Sequence, residues 1–417
     1  MLEVLFPHAH ERYAALPLLG SILDDFARWS LKQGYQRSTL RAQFKTMARV
    51  DRSLRRRGAS DLTDITPEML EACWSVFRRR NRMAGGIIQS LQRYLETTRL
   101  LQPPASAPSS PTICQLKSYS AYLTDVRGLA HNTRRNHIAT VTAFLEYLDY
   151  DVTPERLKTI TVNEVEVFVR RSGKRLNRGS LQHVAAHLRS FLRFLAVTSD
   201  GPLGLDKQVD TPRLYRLEQI PRALPWKTVQ QFLQSIDRTD VLGLRDYAMF
   251  LLIASYGLRV REIATLTLDD VHWRSECIKV RSSKTSTVLT LPLSDDAATA
   301  VLDYLREGRP QVPHREIFLR VRAPIGPLKR TAVSMAFNAR VKRSGLDIPY
   351  FGAHCLRHSY AVRLLRQRTP LKTIGDLLGH HTAEATCVYL RLATEDLREV
   401  PLPVPGSRDA NAEEVRS

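Results

Sequence analysis

From residue 1 onward, apolar residues recur three and four apart, the spacing that gives a helix one buried face. Residues 1–101 form one such stretch. GYQRSTLRAQFKTMARVDRSLRRRG opens on a Ser-Thr cap and runs as an amphipathic helix. Thr66-Pro67-Glu68 starts a second, and GGIIQSLQRYLETTRLL supplies a third. Residues 113–198 repeat the plan. GLAHNTRRNHIATVTAFLEYLDY carries an Asn-Thr cap, Thr161-Val162-Asn163-Glu164 reads as a capping box, and RGSLQHVAAHLRSFLRFLAV closes the block. At an offset of 94 to 95 residues Thr39 falls on Thr133 and Ile65-Thr66 on Ile160-Thr161. The two blocks are therefore expected to be copies of one helical unit.

The third block, 226–400, changes period. LRDYAMFLLIASYGL is an apolar helix stopped by Gly257, and VREIATLTLDDV a short helix running into an exit segment. ECIKVRSSKTSTVLTLPL alternates as two strands, a hairpin with Ser282 to Ser286 at its tip. LKRTAVSMAFNARVKRSGL is a basic helix ended by Gly345, and from Ala353 the chain is helical, interrupted at Pro370 and stopped at Gly379. Pro-rich QPPASAPSSP and the irregular Ser199–Pro225 segment separate the blocks, and 401–417 reads as a flexible polar tail. The expected fold is multidomain, with all-α N-terminal modules followed by an α+β, mainly helical domain with a small antiparallel sheet.

Charge narrows the function. Sixty-two Lys and Arg against 42 Asp and Glu leave +20, with a pI near 10.1. Such a chain is most simply a binder of polyanions, and nucleic acid is the commonest of these. RSLRRRG, RRRNR, RRNH and RRSGKRLNR place cations at helix ends and turns, where they suit phosphate contacts. The five cysteines form no CxxC pair, which fits free thiols in a reducing compartment. The early Glu3 and short apolar start do not read as a signal peptide, and no run approaches a membrane span. A cytoplasmic, nucleoid-associated protein with no membrane partner is expected.

Four islands of the third block carry candidate chemistry. SYGLRVREI sets Arg259 after a helix stop with Glu262 three residues on. Lys284 lies at the hairpin tip, with Lys279 as a neighbouring candidate. HCLRH puts His354 and Arg357 on one helix face, and LLGHHTAEATCVYL holds His380 with Tyr389 nine residues later. Two arginines, a lysine and two histidines can grip phosphate oxygens without a metal. A phenol of pKa near ~10 would attack phosphorus only with a base and a cationic pocket. The set suits phosphodiester transesterification through a phosphotyrosyl intermediate. A zinc reading draws on His354, Cys355, His358, His380, His381 and Cys387. It lacks the Glu of a metalloprotease helix and any paired Cys spacing, so no metal is expected.

In this order and spacing, the islands resemble the catalytic domain of the tyrosine recombinase/integrase family over roughly residues 226–395. Block two resembles its helical, SAM-like core-binding domain, and block one an extra copy. The resemblance implies that Arg259 and Arg357 hold the non-bridging oxygens of the scissile phosphate. Lys284 would protonate the leaving 5′ oxygen. His354 would be base or orienting partner for the tyrosine, and His380 a further phosphate donor. Tyr389 would attack to leave a 3′-phosphotyrosine, while Glu262 supports the assembly. It implies no cofactor, double-stranded DNA as partner, and four protomers on paired sites. Accessory DNA-bending or partner recombinase proteins would be further partners. On this reading His358 and His381 are bystanders. The segment after Tyr389 holds at most a short helix, which departs from the family's docking C-terminal helix. A site-specific recombinase of a mobile element is expected, against a type IB topoisomerase-like relaxing enzyme or a non-catalytic regulator of the same fold.

Overall fold

The computed structural model describes residues 1–80, 82–101, 110–213, 221–281, 288–380 and 382–392. Most of the first linker, Lys284 and the hairpin tip, His381 and the 401–417 tail lie outside the described residues. Contacts divide the chain into two compact units. One combines Met1–Ser60, Cys73–Tyr94 and Ile220–Ser417, and the other Asp61–Ala72 with Leu95–Gln219. This division cuts through the block 1–101 that the sequence marks as one module.

In the second unit, helices Pro111–Asp125, His131–Tyr147, Val162–Gly173 and Arg178–Val197 enclose Tyr119, Phe144, Leu188 and Phe191, all fully buried. Their starts follow the local rules. Ser110 Oγ accepts from the Ile113 N–H, and Thr161 and Glu164 form a reciprocal capping box, satisfying donors a helix start leaves unpaired.

In the other unit, helices Leu23–Lys32, Arg37–Phe44 and Met47–Arg55 pack around Phe26, Phe44 and Leu54. Buried Asp51 accepts the Leu18 and Leu19 N–H groups at 3.0 and 2.9 Å. Laid on the second block at the offset of 94, two of these helices correspond to the single helix His131–Tyr147. The break falls at Lys45-Thr46, where the Thr46 hydroxyl donates back to the Gln43 carbonyl at 2.6 Å.

The rest of this unit is built on the apolar helix Val241–Tyr256, packed against Asp295–Asp303, Arg330–Ser344 and His354–Arg366. Its core includes Phe232, Phe250, Phe318 and Phe337. The cationic helix Arg330–Ser344 buries Arg340, whose Nε donates to Asp246 at 2.8 Å, with Arg245 on the other oxygen. Strands β1 (Val271–His272), β2 (Cys277–Arg281) and β3 (Val288–Pro292) form an antiparallel sheet in that order, with Arg281 opposite Val288. No described helix is long and apolar enough to cross a membrane.

Candidate active site

Two helix ends create the site. Val241–Tyr256 stops at Gly257 and Leu371–Leu378 at Gly379, both glycines in the left-handed conformation at φ 63° and 59°. Gly257 is constrained twice, because a Cβ there would lie 2.7 Å from both Leu378 and Tyr360 carbons. Helix C-termini carry unpaired carbonyls and the negative end of the helix dipole, so they attract cations.

Two arginines answer them. Arg357, only 3% exposed, donates from Nη1 to the Gly257 carbonyl and from Nη2 to the Leu378 carbonyl at 2.6 Å. Arg259 donates from Nη2 to the Gly379 carbonyl at 3.0 Å and from Nη1 to Glu262 at 2.8 Å. The same Glu262, itself buried, accepts the Arg259 backbone N–H at 2.7 Å, so one carboxylate fixes both backbone and side chain. A guanidinium has five N–H donors, and these bonds fix each plane while engaging one N–H per terminal nitrogen. Burial and the Arg259 charge lower the Arg357 pKa to about 10, which leaves it protonated at neutral pH.

Between them opens a cleft of about 290 Å³, lined by Arg259, Arg357, His380, Val280, Val288 and Leu289. The hairpin strands therefore reach the cleft, although Lys284 between them is not described. Lys279 is exposed and alternates with Val280 along β2, so it lies on the strand face opposite the one that lines the cleft.

Helix His354–Arg366 presents His354, Arg357 and His358 on one face, being residues i, i+3 and i+4. The tyrosine hydroxyl is held by His358, which the sequence leaves as a bystander: its Nδ1 lies 3.0 Å from Tyr389 Oη. His354 stands behind it, ring centroids 4.6 Å apart at 76°. The available signal was helical phase, which puts His358 on the face of His354 and Arg357. What phase could not show is that a residue 31 positions later folds onto it.

Tyr389 sits in the short helix Val388–Leu392 and is 3% exposed. Its ring lies nearly parallel to that of His380, at 11° and 6.3 Å. His380 is anchored by its N–H to the Gly375 carbonyl at 2.8 Å and by Nδ1 to Thr386 Oγ1 at 2.8 Å, which leaves Nε2 for another partner.

Electrostatics follow from burial among cations. Desolvation and neighbouring charge push His358 and His380 down to about 4, for His358 chiefly His354 and Arg357, for His380 the two arginines. His354 is lowered in the same way, although its surface stays exposed. All three are neutral at pH 7, and a neutral imidazole can accept a proton. Burial raises the Tyr389 pKa, while Arg357 and Arg259 pull it back. Among the described residues, no group of three or more His, Cys, Asp or Glu is placed to hold a metal ion.

Sequence and structure comparisons bear on this geometry. The Phage integrase family matches residues 222–396, and the Phage integrase N-terminal SAM-like domain matches 116–198. A Sinorhizobium fredii chain named as integrase/recombinase y4rF is 30% identical over 93% of this chain and 92% of its own length. Tyrosine recombinase XerD of Listeria innocua is 30% identical over 66% of this chain and 92% of its own. A solved structure of the XerH site-specific recombinase, bound to difH substrate before cleavage, superposes with a TM-score of 0.53. It covers 71% of this chain and 99% of that one at 17% identity, a likeness of fold.

Proposed function

Because the chain belongs to the phage integrase family of tyrosine recombinases, a family of site-specific DNA breaking and rejoining enzymes, we propose that Tyr389 is its nucleophile and that the Arg259–Arg357 cleft holds the scissile phosphate. The observation that carries this reading is a cleft lined by two fixed guanidiniums and His380, with the His358-bonded Tyr389 ring 6.3 Å from that of His380.

Tyr389 Oη attacks phosphorus and passes its proton to neutral His358. The P–O5′ bond breaks, leaving a 3′-phosphotyrosine and a 5′ hydroxyl. Arg259, Arg357 and His380 Nε2 stabilise charge on the non-bridging oxygens of the pentavalent transition state, in positions set before the reaction begins. Lys284 gives the leaving oxygen its proton. Support for this comes from Val280 and Val288, which carry the flanking strands to the cleft. The released 5′ hydroxyl then attacks a phosphotyrosine of the partner strand. The phosphotyrosine conserves the bond energy, so the exchange needs no nucleotide.

Double-stranded DNA is the partner, engaged by the +20 chain through its phosphates. Four protomers act on two paired sites. The match to a chain named integrase/recombinase extends over nearly the whole length, the first block included, which supports an integrase of a mobile element.

The test is a duplex nicked next to the cleavage site, which traps the covalent intermediate by losing the leaving strand. The wild type accumulates a denaturation-resistant protein–DNA adduct and Tyr389→Phe accumulates none. An undiminished adduct in that variant would overturn the assignment.

A further inference from the structure

A second cationic cavity lies in the first unit, away from the residues that hold Tyr389. The loop Arg320–Gly326 leaves the core of the third block and is closed at its base by the Arg320 N–H on the Gly326 carbonyl at 2.8 Å. Its tip meets the first block, where the Ile325 N–H donates to the Gln33 carbonyl at 3.0 Å. The next residue, Gly34, has φ +87°, and a Cβ there would lie 2.4 Å from Ile325 Cδ1. Only glycine lets the two segments meet this closely. On the far wall Tyr35 Oη and Ser90 Oγ hydrogen-bond at 2.7 Å, tying Tyr35 to the helix Arg82–Thr97.

These contacts enclose a cleft of about 660 Å³ whose polar lining includes Tyr35, Gln36, Thr39, Gln89, Arg93 and Arg322. No carboxylate lines it among the described residues. Beside it, Arg320 is half-buried, and its Nε is buried without a hydrogen-bond partner. Arg93 and Tyr35 both act electrostatically on Arg320, and the like charge of Arg93 opposes its protonation. Like charges brought together repel one another. That repulsion is relieved by one kind of ligand, an anion with several acceptor oxygens, and the amide and hydroxyl groups lining the cleft complete its hydrogen bonding.

We propose that the cleft walled by Gln33–Thr39, Gln89–Arg93 and Arg320–Ile325 binds a phosphate group of a DNA backbone, making the junction of the first block with the third block a second DNA contact. The choice of DNA as source of the phosphate rests on the recombinase reading; the anionic character of the ligand rests on the cleft alone. Arg93 and Arg322 are exposed at its mouth and reach a phosphate there, with Arg320 behind them.

The test uses the full chain, because the two segments fold against each other. Affinity for a mixed-sequence duplex is measured against salt for the wild type, Arg93→Gln/Arg322→Gln and Arg93→Lys/Arg322→Lys, with circular dichroism confirming the fold of each. Each neutralised phosphate contributes about 0.9 to the slope of log affinity on log salt. The glutamine pair is expected to flatten the slope by about one unit, and the lysine pair, which keeps the charge, to restore most of it. Equal slopes for wild type and the glutamine pair overturn the proposal. A parallel melting series with inorganic phosphate separates the sources: stabilisation of the wild type but not the glutamine pair, with equal DNA slopes, assigns a small free anion and overturns the DNA contact. Both arms read binding rather than cleavage. A chain that binds DNA through this cleft but forms no adduct contradicts the recombinase reading and leaves the cleft standing.

Discussion

Two regions of this chain hold the same local arrangement, and only one of them lies among the proposed catalytic residues. In the second unit Tyr119 is fully buried with its hydroxyl 2.9 Å from His137 Nδ1, and His187 packs on His137 at 4.1 Å between ring centroids. In the catalytic block Tyr389 is buried with its hydroxyl 3.0 Å from His358 Nδ1, and His354 packs on His358 at 4.6 Å. A buried tyrosine on a histidine is thus an ordinary way to satisfy a phenol. The surroundings differ. Burial drives the Tyr119 pKa up to about 12. Tyr389 is also raised by burial, but Arg357 and Arg259, which line the neighbouring cleft, oppose the rise. The cationic surroundings, rather than the tyrosine–histidine pair, separate the proposed nucleophile from a core residue.

The sharpest way to break that comparison is to weaken the cationic field while keeping charge. Arg357→Lys preserves a positive charge but loses the fork that spans two carbonyls and, in the proposed reaction, faces the phosphate. Single-turnover cleavage of the nicked duplex should fall on the order of a hundred- to a thousandfold, the range for losing one transition-state donor. A loss below about tenfold, with the fold intact, would mean that the guanidinium does not set the chemistry apart.

Smaller changes come from the hydrogen bonds themselves, and here the two regions should part. His358→Ala should slow cleavage on the order of a hundredfold, the low end for losing a general base. Tyr119→Phe should leave the adduct forming and cost about 1 kcal/mol in urea unfolding of the second unit. If His358→Ala changes unfolding but not cleavage, its bond to Tyr389 is structural, like that of Tyr119.

The least effect is one the regions share. His358, His380 and His187 are all held near 4, against about 6.5 in an unfolded chain. Between these values the unfolded chain binds more protons than the folded one. Stability is therefore complete above about pH 6.5 and falls as pH drops toward 4. Urea midpoints measured from pH 7.5 to 4.5 should decline, and His187→Ala and His358→Ala should each flatten the decline. A slope unchanged in both variants would contradict the burial of neutral imidazoles.

Much of this was legible in the chain because the signals are local. Gly257 and Gly379 mark helix ends in the sequence, and those ends are what Arg259 and Arg357 cap. Glu262, three residues after Arg259, lies within capping-box reach. The Thr161–Glu164 box was visible for the same reason. The illegible features all depend on distant partners or very short elements. Phase put His358 on the right face, yet only tertiary folding brings Tyr389 to it. The contact of Gln33-Gly34 with Ile325 joins residues nearly three hundred positions apart. β1 has two residues, too few to show alternation. The break at Lys45-Thr46 has no glycine or proline to announce it.

The central claim is that Tyr389 becomes covalently bonded to DNA while the equally buried, equally histidine-bonded Tyr119 does not. Trapping the wild-type chain on the nicked duplex, digesting the adduct and locating the modified residue by mass spectrometry tests this directly. A 3′-phosphotyrosine on the peptide containing Tyr389 is predicted. Attachment at any other residue would contradict the account.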